Sequence, residues 1–196
     1  MKLNKTTALA FFLLILVASL YRVWDGRPFG FAPQMAMALF AGAVIKDKRW
    51  AILLPLGSMF LSDVFYQVLY VNGLSAIKGF YSGMFLNYLL IAGLTCFGFL
   101  MKRITVLNVL GFSLSGSLLY FILSNFGTWI GGGGFARPLT FEGMLLCYQD
   151  ALAFYRDYGL IKGFAGNFFI GDLFFTMVLF GSYFLLKKPV LRTSAA

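Results

Sequence analysis

Long apolar runs separated by short polar breaks make up this chain, and their length predicts membrane-spanning helices rather than strands. The clearest run, Gly166 to Leu186, has 21 residues followed at once by Lys187 and Lys188. At 1.5 Å per residue it covers roughly the 30 Å of a bilayer core. Further runs predict spans over 7–24, 32–45, 50–70, 83–101 and 106–126, so residues 1–196 read as a single all-α transmembrane domain of six helices. Pro33 is well placed to open the second helix, which at ~14 residues is short for a span and must begin in the interface or re-enter. The connection from Trp129 to Gly166 opens with glycines 131 to 134 and holds an amphipathic segment, 140–157, with Thr140 as its N-cap. Met144, Leu145, Tyr148, Leu152 and Tyr155 share one face of it, against Glu142, Gln149, Arg156 and Asp157, which predicts a surface or lid helix.

The run from Ala8 to Leu20 also fits a signal-peptide core, with Val17-Ala18-Ser19 as a cleavage site. Its apolar character continues to Trp24, which favours a retained first span. Composition agrees with a membrane protein: 60% of the 196 residues are hydrophobic and 12% charged, about half the charge of a soluble domain. The net charge of +9 falls in short clusters between apolar runs, so it reads as loop charge rather than a nucleic-acid surface. Ten of the sixteen basic residues lie with both termini and the turns at 46–49 and 102–103. The positive-inside rule makes that side cytoplasmic in a bacterial inner membrane, and the three longer loops external.

Orientation gives the polar residues a depth. Asp63 lies roughly 10 Å and Asp172 roughly 9 Å below the outer ends of their helices, with Asn87 and Asn125 nearer theirs. An ionisable group there is costly unless it faces other helices or a wet cavity. Single Asn or Ser residues at this level commonly bond helix to helix; two aspartates with no spanning cation opposite them point instead to a site opening outward. Trp129, Tyr148 and the loop cations Arg27, Lys78, Arg137 and Arg156 surround that level. Ala38, Ala41 and Gly42 form a small-residue face that suits close packing within the chain or docking of a partner subunit. There is no histidine, and Cys96 and Cys147 are the two cysteines, so zinc, haem and Ser-His-Asp chemistry are excluded. No nucleotide motif follows the glycines, and no cofactor is expected.

Several stretches, RPFGFAPQMAMALFAGA, LLPLGSMFLSDVF, LSNFGTWI, the Thr140 to Tyr148 segment and GDLFFTMVLFG, resemble a family of small bacterial integral membrane proteins of unassigned function grouped with transport proteins. That family is similar to the S components of energy-coupling-factor (ECF) vitamin transporters, including cobalamin-uptake members. The resemblance implies a six-helix bundle binding a vitamin-like molecule from outside, with an early small-residue helix docking a coupling subunit driven by ATPases. The cobalamin members place a cobalt-ligating cysteine near the third loop, where residues 71–87 have none; Cys147 in the fifth loop is the remaining candidate.

The expectation is therefore a substrate-binding subunit for micronutrient uptake, not an enzyme, with Asp63, Asn87, Asn125, Asp172, Trp129, Tyr148 and Arg27 around the ligand and Ala38, Ala41 and Gly42 toward the partner. The alternative is a scaffold subunit with no small ligand. An intramembrane enzyme with an aspartate dyad is a third, and it requires the two carboxyls to share a proton.

Overall fold

A computed structural model describes residues 5–28, 30–157 and 167–186, with side chains from 9 to 153 and from 168 onward. Among the described residues the regular structure is seven helices: α1 (Lys5–Val23), α2 (Gln34–Val44), α3 (Lys48–Val71), α4 (Met84–Gly98), α5 (Val106–Ile130), α6 (Phe141–Asp157) and α7 (Asn167–Leu186). Of these α3, α5 and α7 are long and apolar enough to cross a membrane, whereas the apolar parts of α1, α2 and α4 are shorter. The basic clusters at the two ends of the chain, and the side chains of Tyr155, Arg156 and Asp157, lie outside the described residues.

Local chemistry sets several boundaries. Pro33 sits at the N-cap of α2 rather than inside it. Asp47 caps α3 by accepting from the Arg49 amide, which starts that helix two residues before Trp50. Thr105 caps α5 in the same way through Asn108, and Thr140 caps α6 through the Gly143 amide. The largest differences from the sequence reading are at two further ends. α4 stops at Gly98, beyond which Leu100 and Met101 bond three residues back to Phe97 and Gly98, and α5 continues through Thr128 to Ile130.

α2 is the central rod and touches α3, α4, α5 and α7. Ala38 and Ala41 are fully buried and Gly42 is buried with them. A Cβ on Gly42 would collide with the Thr95 carbonyl and lie 2.9 Å from the Gly98 Cα, and one on Gly98 would meet the Leu39 carbonyl at 2.7 Å. The two backbones are therefore in direct contact, which only glycine allows. The small-residue face expected to dock a partner is covered within the chain by α4, while Ala41 packs with Met37, Ala51 and Leu54. Polar side chains in this half bond locally: Ser19 Oγ donates to the Ser58 carbonyl at 2.8 Å, Thr95 Oγ1 to the Ile91 carbonyl at 3.0 Å, and Ser113 pairs with Thr176 at 3.2 Å.

Candidate functional site

The opposite end of the bundle is built differently. Here α1, α3 and α5 finish and α2, α4 and α7 begin, and each contributes a polar group. Asp63 is 1% exposed, and its charge is met by Arg22 of α1, which forms an ion pair with Oδ1. The same Arg22 nitrogen donates to Ser62 Oγ at 2.5 Å, and Tyr88 donates to the other Asp63 oxygen at 2.7 Å. The expectation that both aspartates lack a spanning cation is thus corrected for Asp63. Arg22 is the penultimate residue of α1, and its guanidinium reaches inward past the Tyr66 ring, 5.7 Å from the centroid, to Asp63.

Asp172, 4% exposed, has no such partner among the described residues; Oδ2 accepts from Ser117 Oγ of α5 at 2.8 Å. It lines instead a cavity of about 340 Å³, together with the polar residues Arg22, Arg27, Gln34, Asn87, Tyr81 and Tyr120 and the apolar residues Met35, Met59, Ile91 and Phe168. That volume lies within the ordinary range for small-molecule sites. Gln34 is the most telling lining residue. It is 5% exposed, its amide nitrogen donates to Ser58 Oγ at 3.3 Å, and its carbonyl oxygen has no hydrogen-bond partner. An unmatched buried acceptor costs about 1–3 kcal/mol.

Neighbouring groups hold the cavity's walls. Arg27 Nε donates to the Arg22 carbonyl at 2.5 Å and its NH2 to Tyr66 Oη at 3.1 Å, while Tyr66 donates to the same carbonyl at 2.7 Å. Gly79 lets the 72–83 loop lie on α3: a Cβ there would collide with the Asp63 carbonyl and come within 2.6 Å of the Gln67 nitrogen. That contact carries Tyr81 to the cavity, where its hydroxyl accepts from the Asn87 amide at 2.6 Å.

A family model matches residues 2–194, nearly the whole chain. The chain belongs to DUF6580, a family of unknown function. No curated protein and no solved structure matches it.

A second chamber in this DUF6580 chain, of about 540 Å³, lies between α5, α6 and the start of α7. Asn87, Tyr120 and Phe168 line both spaces and form the wall between them, with Tyr120 Oη donating to Asn87 Oδ1 at 3.0 Å. Asn125, Cys147 and Asp150 line the second chamber alone. Cys147 is buried, its thiol pushed up by burial, and its Sγ lies 3.8 Å from the Asn125 carbonyl. Among the described residues no three potential metal ligands cluster. α6 is held to α5 by Tyr148 Oη donating to the Ile122 carbonyl at 2.8 Å and to its own loop by Arg137, bound to both Asp150 oxygens at 2.8 and 3.0 Å. Trp129 Nε1 ties that loop down at the Pro138 carbonyl, 2.9 Å away.

Of the sequence-derived site residues, then, Arg27, Asn87 and Asp172 share the first cavity, and Asn125 and Cys147 lie in the second. Asp63 stands behind Arg22 and orients it; it bonds to Arg22 and Tyr88 and not to Asp172, so no shared-proton dyad forms. Trp129 and Tyr148 tether backbone rather than line either chamber. Gln34, Arg22, Ser117 and Tyr120 were not singled out in the sequence. The signal for Gln34 was a lone amide in the first turn of an Ala- and Met-rich helix; that for Arg22, a cation in the last turn of an apolar run.

Proposed function

We propose that this protein is the substrate-binding subunit of a membrane uptake system for a small micronutrient, with a bundle of six spanning helices and its site near the outer surface. The observation that carries the reading is the 340 Å³ cavity, in which Asp172 and the unpartnered Gln34 carbonyl oxygen meet Arg27 and Asn87 inside an otherwise apolar helical chain. Buried polar groups that serve only to glue helices are matched to one another; the Gln34 carbonyl oxygen has no match within the described residues, and Asp172 has no cation. The basic clusters favour cytoplasmic termini in a bacterial inner membrane, which turns the cavity end outward. The chain supplies no nucleotide motif, so energy would come from partner ATPases through a coupling subunit, as in the ECF systems it resembles. Because α4 covers Ala38 and Gly42, docking of that subunit falls to an outward apolar face instead.

Native mass spectrometry of the protein purified gently from its own host tests the reading. A defined small-molecule adduct on the wild type that is lost from folded Asp172→Asn is the expected result. An apo mass together with a stoichiometric protein partner other than a coupling module would replace it with the scaffold reading.

A further inference from the structure

The charges around the cavity define what it accepts. Two guanidinium groups and one carboxyl line it, and Arg22 is committed to Asp63 behind the wall. Arg27 and Asp172 remain, both at the cavity wall and neither in an ion pair among the described residues. Opposite charges placed in one pocket for stability would bond to each other. These two are held apart by their own tethers: Arg27 by the Arg22 carbonyl and Tyr66, Asp172 by Ser117.

Each end retains unused valence of one kind. A guanidinium has five N–H groups, and Arg27 spends three, on the Arg22 carbonyl, Tyr66 and the Pro28 carbonyl at 3.4 Å. Among the acceptors, Asp172 is bonded through Oδ2 to Ser117, and the Gln34 carbonyl oxygen is buried with no donor. The lining thus combines spare donors on Arg27 with spare acceptors on Asp172 and Gln34. Met35, Met59 and Ile91 supply an apolar wall besides.

We propose that the ligand is a small ampholyte: a molecule with an apolar body, an anionic group bound by Arg27, and a cationic N–H-bearing group bound by Asp172 and Gln34. This deepens the uptake reading and rests on it. A ligand with only a cationic group would leave Arg27 unanswered, and one with only an anionic group would leave Asp172, 4% exposed, without a counter-charge at membrane depth.

The test uses the full chain in lipid nanodiscs and a series of ω-aminocarboxylates from 4-aminobutanoate to 8-aminooctanoate. Each is compared with the carboxylate and the alkylammonium of the same chain length, and empty nanodiscs correct for partition into lipid. Ligand-observed NMR gives the affinities. At the best length the zwitterion binds at least about tenfold more tightly than either single-charge analogue, as expected for two charge-assisted contacts. Arg27→Gln brings it down to the alkylammonium's affinity, and Asp172→Asn to the carboxylate's. Gln34→Met, which keeps length and apolar packing, weakens the zwitterion more than the carboxylate, and thermal unfolding in the same nanodiscs verifies that each variant is folded. A series in which no zwitterion outperforms both analogues overturns the proposal. If the host-purified protein nonetheless carries an adduct with one charge or none, binding survives and the ampholyte falls; an adduct-free wild type that also binds no probe removes both.

Discussion

The two ends of α2 face different interiors. At its C-terminal half Ala38, Ala41 and Gly42 bring the helix into backbone contact with α4, and the polar groups nearby, Ser113 with Thr176 and Thr95 with the Ile91 carbonyl, are matched in pairs. At its N-terminus, one to two turns away, Gln34 and Met35 line an open space with an unmatched acceptor. One half of the bundle is sealed by small residues, and the other is propped open by larger polar ones that bond to one another and to the Arg22 carbonyl around the space. In a helical bundle of this kind polarity alone does not mark a site; polarity with unspent bonding capacity does.

Substitutions that treat the two ends alike should break this contrast, and the largest effect belongs to the sealed end. Gly42→Val drives a branched side chain into the Thr95 carbonyl, so a loss of ~3 kcal/mol or more is expected, seen as a collapse in monodisperse yield and in melting temperature. Gln34→Met, on the same helix, should leave folding intact in the same assay. Equal damage from both would mean that the open end is ordinary core.

Next in size is the buried ion pair. Arg22→Met strands the Asp63 carboxylate, and breaking such a pair costs about 3–5 kcal/mol. The double variant Arg22→Met with Asp63→Leu should recover much of that loss in thermal unfolding, since both desolvation penalties disappear together. Asp172→Asn is expected to differ sharply. With no cation to strand, it should change stability by less than about 1 kcal/mol or raise it, while abolishing the bound adduct. A loss as large as that of Arg22→Met would show that Asp172 has a structural partner.

The smallest effect sits on α6. Arg137 holds the Asp150 carboxyl below its ordinary value of 3.8. A carboxylate with a lowered folded value stabilises the fold fully above 3.8, and that stabilisation is lost as the pH falls through the lowered value. Hydrogen exchange in α6, corrected for intrinsic pH dependence, should therefore accelerate relative to α5 below about pH 4. Asp150→Asn should remove the difference between acid and neutral pH without altering the global melting temperature.

How much of this the sequence disclosed follows from what a bilayer does to hydrophobicity. Helix positions were legible because apolar length and basic turns mark them, as at 46–49 and 102–103, and a capping residue does so at Thr140; the caps at Asp47 and Thr105 emerged only in the structure. Asp172 and Asn87 were legible because a charge or an amide inside an apolar run stands out. Which face of a helix turns inward was much less so. On α6 the apolar face read from the sequence holds Leu145 and Leu152, and both are exposed; Gly143 and Cys147 are the buried pair, because close approach to the Pro138 backbone and to α5 selects small residues. The same holds elsewhere: Phe85, Leu107 and Leu185 point outward while Ala36, Ser58 and Ser62 are buried. When the surroundings are as apolar as the core, side-chain size and polarity report the interior, and hydrophobic periodicity does not. The Arg22–Asp63 pair escaped for a related reason, since the two residues are 41 apart in sequence and only the fold brings α1 against α3.

The central claim is that the space between Arg27, Gln34 and Asp172 is occupied by a molecule rather than by protein. Cryo-electron microscopy of the protein taken from its own host in native lipid, with a fiducial binder on the outer loops, examines that space directly. The account predicts ordered non-protein density in contact with the Gln34 amide and the Asp172 carboxylate. Side chains closing the space, or a protein cation paired to Asp172, would contradict it.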